Sequence, residues 1–208
     1  MGVYKIPTGS MEPNLKTGDF VIAWKLSYGL TPPWSEKKLW MNPPQRGDVA
    51  VFTCPDDLTA KCVKRVIGVA GDSIKMVNGR VLVNGVETLY AEAKSENFKG
   101  QEAVLNQKSY KLFVEKPSGS KSYKVILSEA EPKEEAEPEE YVVPEGEAFV
   151  LGDYRAKSED SRIWGNVPYE AFESKVSMIW LSLEWEKPSG GLAERPGVRW
   201  RRLFQSVR

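Results

Sequence analysis

The chain has 208 residues, 41% hydrophobic and 28% charged, and Lys plus Arg equals Asp plus Glu at 29 each. That length holds one sizeable core or two coupled subdomains, and the balanced charge sets up no overall field toward nucleic acid, so no nucleic-acid partner is expected. The absence of histidine removes a Ser-His-Asp hydrolase and, with only two cysteines, a Cys/His zinc site; acid–base work falls to Asp, Glu, Lys, Tyr or a Ser-linked pair, and no metal is expected.

In chain order the first feature is IPTGSMEPNL, residues 6–15, which places Ser10 between a glycine and a methionine in a Pro-bracketed, non-helical segment. Ser10 is either a turn residue or a nucleophile. No run of about 18 apolar residues occurs, and no charged-then-apolar leader opens the chain. The near absence of lead-in before Ser10 predicts a segment missing upstream.

Strands are predicted at 19–24 (DFVIAW), 47–54 (GDVAVFTC), 61–69 (KCVKRVIGV), 72–77 (DSIKMV), 80–85 (RVLVNG), 121–127 (KSYKVIL), 147–152 (EAFVLG) and 175–185 (KVSMIWLSLEW). Each is rich in β-branched or aromatic residues, and most are closed by Gly, Pro or Asn. The two Asn-Gly steps in VNGRVLVNGV signal hairpins, because both residues tolerate positive φ. Residues 30–44 read as a Pro-bounded loop and 95–108 as a possible short helix. The pattern loosens over 86–140 and ends in EAEPKEEAEPEE, residues 129–140, with seven Glu and one Lys, a composition expected of solvated loop. The expectation is a mainly β protein: a core from 1–85 and 141–208, with 86–140 an inserted, smaller cap ending in an acidic loop. Cys54 and Cys62 flank PDDLTAK; a hairpin with the two opposite each other allows a disulfide, and two buried thiols are the other reading.

A serine hydroxyl needs a base to attack an amide, and without His that base is most often a lysine whose pKa burial has lowered. Lys64, in CVKRVIGVAGD, shares a strand face with Cys62 and Val66 while Arg65 points to the other face. It is either turned into apolar surroundings, where a neutral amine is favoured, or exposed on a two-sided strand. A third segment, VLGDYRAKSEDSRIWGNVP at 150–168, packs Ser158, Asp160, Ser161 and Arg162 between β stretches; taken alone it is also a plain salt-bridged turn.

Together, SMEP, RGDVAVF followed by KRVIGVAGD, and GDYRAKSEDSRIWG resemble, in order and separation, the motif boxes of bacterial type I signal peptidase, a membrane-anchored Ser/Lys endopeptidase. The likeness covers about residues 4–85 and 141–205. It implies an antiparallel β-sheet catalytic core with a smaller β-rich cap, no cofactor, and removal of N-terminal signal peptides from exported preproteins after an Ala-x-Ala pattern. By the resemblance, Ser10 is the nucleophile and Lys64 the general base. Ser158 orients Lys64, the Ser10 N–H and the Thr8 hydroxyl form the oxyanion hole, and Asp160 and Arg162 are a structural ion pair. Tyr4, Ile6, Met11, Leu15, Val51 and Val63 match the positions lining the shallow substrate pockets.

The implied location is the cytoplasmic membrane, catalytic part on the extracytoplasmic (periplasmic) side, with signal peptides and the membrane surface as partners and an N-terminal membrane anchor in the full-length protein. Asn14 stands where Thr is common, Ala70 where Pro is common, and Tyr154, Ala156 and Lys157 replace residues often Asn, Asp and Asn; Lys157 is expected to face solvent. Trp200, Arg201, Arg202 and Phe204 either touch a lipid surface or pack inward. The rival readings are a repressor-type Ser/Lys self-cleaving protease, whose Ala-Gly cleavage segment near the N-terminus and DNA-binding domain are not seen, and a catalytically silent relative that binds extended peptides.

Overall fold

A computed structural model describes residues 1–30, 32, 34–35, 38–77, 79–93, 110–117, 121–128, 140–185 and 196–207. The possible helix at 95–108 and the acidic run 129–140, except Glu140, lie outside the described residues.

The strands are β1 (Gly2–Lys5), β2 (Asp19–Trp24), β3 (Val49–Thr53), β4 (Lys61–Val69), β5 (Ser73–Val77), β6 (Arg80–Val83), β7 (Val86–Glu87) and β8 (Leu89–Glu92). They continue with β9 (Tyr110–Lys116), β10 (Tyr123–Ser128), β11 (Glu140–Val142), β12 (Glu147–Leu151), β13 (Val167–Pro168), β14 (Phe172–Trp185), β15 (Pro196–Val198) and β16 (Gln205–Ser206). One short helix, α1 (Ser161–Trp164), lies between β12 and β13. Every predicted strand is present. The largest shift is at 175–185, which begins at Phe172.

The main sheet runs β1-β2-β14-β3-β4-β12-β13, with β15 and β16 also on β14, and its pairings are antiparallel. The alternation of DFVIAW places Val21 and Ala23 in the core beside Ile6, Met11, Leu15 and Val51. Burying aliphatic side chains of this kind contributes about 1.5–3 kcal/mol each. A four-stranded sheet, β11-β5-β6-β7, and a three-stranded sheet, β10-β9-β8, are the other sheets among the described residues. Ile67 of β4 and Phe149 and Leu151 of β12 join Ile74, Val81, Val125 and Leu127 in one cluster, so the two smaller sheets pack on the strand that carries Lys64. The second Asn-Gly step closes a hairpin as expected: Asn84 and Gly85 have φ of 53° and 74° while Val83 pairs with Val86.

Strands β8 and β9 fall where the sequence pattern loosens, and β9 carries a fully buried carboxylate, Glu115, within YKLFVEK. An inward-facing charge is what hid this strand in the sequence. Cys54 and Cys62 form a disulfide, but the expected register is corrected: Phe52 lies opposite Cys62, and Cys54 sits past the end of β3 with its N–H on Ala60 O. The C-terminal turn at 200–202 is also not packed inward, since Trp200 and Phe204 are largely exposed. No helix among the described residues is long and apolar enough to cross a membrane.

Candidate active site

Residues 7–18 leave β1 and return into β2 as a loop whose base is closed by Ile6 N–H to Asp19 O (2.8 Å) and Gly18 N–H to Ile6 O (2.9 Å). Met11 and Leu15 plug this loop into the core with 1% and 0% exposure. Ser10, carried above them, is half-buried. Its carbonyl accepts the Tyr154 N–H at 3.0 Å, which fastens the loop to the segment after β12.

Lys64 stands on β4 opposite Ala50 and is 6% exposed. Its Nζ lies 3.0 Å from Ser10 Oγ and 2.9 Å from Ser158 Oγ. Burial lowers the Lys64 pKa, the Arg162 guanidinium adds to that, and the Asp160 carboxylate opposes it. Such an amine has a larger neutral fraction near neutrality than an exposed lysine and accepts a proton more readily. The other seryl hydroxyl holds its lone pair in direction.

Asp160 caps α1 and is bound by Arg162 Nε at 2.7 Å and Nη2 at 2.8 Å. Burial alone raises the Asp160 pKa, but Arg162's hydrogen bonds and charge, with the Gly152 N–H at 3.0 Å, leave it lowered. Arg162 also donates to the carbonyls of Arg155 (2.6 Å) and Ser158 (3.2 Å), which fixes the turn that presents Ser158. Thr8 Oγ1 lies 3.4 Å from Ser10 Oγ, on the open side of the loop.

The six positions matched to substrate pockets fall in one apolar cluster: Ile6, Met11, Leu15 and Val51 are buried, with Tyr4 and Val63 partly buried against them. The Tyr4 hydroxyl accepts from Ser174 Oγ at 3.2 Å. Lys157 is exposed as expected, its Nζ 4.9 Å from the centre of the Tyr154 ring.

Several site residues escaped the sequence reading. Arg65, on the opposite face of β4 from Lys64, forms a buried pair with Asp153, Nε to Oδ1 at 2.7 Å and Nη2 to Oδ2 at 2.8 Å. Its guanidinium lies 3.8 Å from the centre of the Tyr123 ring on β10. Arg155 pairs with the buried Glu115 of β9, which also accepts from the Tyr123 hydroxyl at 3.0 Å. Gly152 packs tightly against the site: a Cβ there stands 2.2 Å from Ser158 Oγ and 2.6 Å from Ser10 O. Only the Gly-Asp-Tyr-Arg run hinted at these roles. Cys54, Asp56 and Cys62 group three potential metal ligands, but the disulfide consumes both thiolates.

The model of the family described as signal peptidase, peptidase S26, matches residues 1–181. A signal peptidase I of Rickettsia conorii is 30% identical over 234 residues, covering 100% of this chain and 85% of that protein. A signal peptidase I of Pseudomonas fluorescens is 34% identical over 198 residues, covering 89% of this chain and 66% of that protein. The crystal structure of a signal peptidase I from Enterococcus faecalis V583 is similar at 24% identity and a TM-score of 0.38, covering 65% of this chain and 98% of that one.

Proposed function

The chain belongs to the signal peptidase family, peptidase S26, and is a serine endopeptidase; on that premise we propose that it removes N-terminal signal peptides from exported preproteins with a Ser10–Lys64 dyad. The observation that carries the proposal is the placement of a buried lysine amine 3.0 Å from Ser10 Oγ and 2.9 Å from Ser158 Oγ. Within that distance a neutral Lys64 takes the Ser10 proton as the oxygen attacks the scissile carbonyl, and returns it to the leaving amine. Ser158 keeps the amine aimed at Ser10. The negative oxygen of the tetrahedral intermediate is met by the Ser10 N–H and, after rotation of its side chain, by the Thr8 hydroxyl. Water then repeats the sequence on the acyl-enzyme, with Lys64 again as base.

The substrate is an extended segment with small residues at the cleavage position and two before it, and the cluster around Ile6, Met11, Val51 and Val63 is the apolar wall that selects them. Supporting this, those side chains form one apolar cluster with the Ser10 loop, and a shallow apolar surface rejects large side chains by overlap. The protein works at the extracytoplasmic face of the cytoplasmic membrane. Alanine at Ser10 or at Lys64 is expected to abolish cleavage of an Ala-x-Ala leader substrate while each variant stays folded. Activity persisting in either variant rules the dyad out.

A further inference from the structure

Three segments must meet for the site to exist: the Ser10 loop, strand β4 with Lys64, and the turn with Ser158. The side chain of Asn14 lies at their junction. Its Nδ2 donates both hydrogens across the interface, one to Asp153 Oδ2 at 2.6 Å and one to the Lys124 carbonyl on β10 at 2.7 Å. Both partners are acceptors only, which fixes the orientation of the amide without ambiguity. The same Asp153 carboxylate is held by Arg65, next to Lys64 on β4. Its chain neighbours are Gly152, packed on Ser158 Oγ, and Tyr154, whose N–H holds the Ser10 carbonyl. On its outer side Asn14 is pinned as well, its carbonyl accepting from Arg202 Nη2 at 2.9 Å.

We infer that Asn14 is a positioning residue for the Ser10–Lys64 reaction: its amide locks the Ser10 loop to the Asp153–Arg65 pair and so sets the distance between hydroxyl and amine. The inference rests on the dyad proposed above. Asn14 touches neither reacting atom, so its effect is on alignment, and misplacement of a reacting group by about 1 Å costs about 100-fold in rate. Asp153 keeps both bonds from Arg65 when the amide is removed, so the fold has a means of surviving the change. A threonine brings one donor and cannot bridge both acceptors at once.

The test compares Asn14→Ala and the near-isosteric Asn14→Leu with the unmodified protein, using a fluorogenic Ala-x-Ala leader peptide and thermal melting on the same samples. The expected result is a kcat lower by about 10- to 100-fold per folded molecule. KM should stay within about twofold, and the midpoint of the pH–rate profile should not move, since Lys64 keeps its burial. A lower melting temperature with unchanged kcat makes Asn14 merely structural and overturns the inference, as does a raised KM with unchanged kcat. Two variants guard against one failing to fold; should neither fold, Asn14 is a folding residue and the inference falls. An unmodified protein that cleaves through Ser10 and Lys64 while Asn14→Ala keeps full kcat removes the inference alone, whereas an unmodified protein indifferent to loss of Ser10 removes the dyad with it.

Discussion

Lys64 and Arg65 are consecutive on β4, yet Lys64 Nζ meets Ser10 Oγ at 3.0 Å on one face while Arg65 Nε meets Asp153 Oδ1 at 2.7 Å on the other. The two-residue period of a strand produces this division. One face carries the proposed base, and the other ties the strand to the residues that hold Ser158 and Ser10 in place.

The lowered pKa of Lys64, caused first by burial, sets the sign of the pH dependence. The neutral amine is the active form, so kcat/KM should rise as pH passes upward through the folded value and then level off. Stability runs the same way. Between the lowered folded value and the ordinary unfolded one, the unfolded chain binds more protons, so stability rises with pH across that window. Lys64→Met should therefore abolish activity, raise the melting temperature at neutral pH and flatten its pH dependence, all readable by calorimetry across a pH series.

Gly152 leaves no space for a side chain, since its Cβ position is 2.2 Å from Ser158 Oγ and 2.6 Å from Ser10 O. Gly152→Ala must push Ser158 or the Ser10 loop aside, and a kcat loss of about 100-fold is expected. Peptide cleavage kinetics alongside near-ultraviolet circular dichroism will separate this from unfolding.

Thr8 tests the oxyanion assignment. Thr8→Val keeps the shape and removes the donor, for an expected kcat loss of about 10²–10³-fold with little change in KM. Thr8→Ser, which retains the hydroxyl, should stay within about tenfold of the unmodified rate.

The Arg65–Asp153 pair is buried on both sides, with exposures of 0% and 1%. Removing one partner strands a charge in the core, so Arg65→Met should lower stability by about 3–5 kcal/mol. Adding Asp153→Leu to that change should recover much of it. Denaturant titrations of the two single variants and the double variant measure the difference.

Much of the candidate site was legible in the sequence through its motifs. Ser10, Lys64 and Ser158 stand in the motif boxes that carry the family resemblance, and β-branched richness located β4, the strand that carries Lys64. The parts that were not legible depend on contacts distant in sequence. Nothing near Asn14 announces that its amide bonds Asp153, and Glu115 in YKLFVEK reads as a solvent-facing charge until Arg155 is placed beside it. The Cys54–Cys62 bond was legible as one of two options, but the register behind it was not: Phe52 takes the place opposite Cys62. At the C-terminus both options for the aromatics were open, and the chain turns Trp200 outward while Arg202 turns in to Asp19 and Asn14.

The central claim is that Ser10 is a nucleophile activated by Lys64, and the most direct measurement is mass spectrometry of the protein after reaction with a serine-directed mechanism-based probe. The account predicts a single adduct, on Ser10, that forms faster as pH rises and fails to form in Lys64→Ala. An adduct at another residue, or Ser10 labelling that proceeds at the same rate without Lys64, contradicts it.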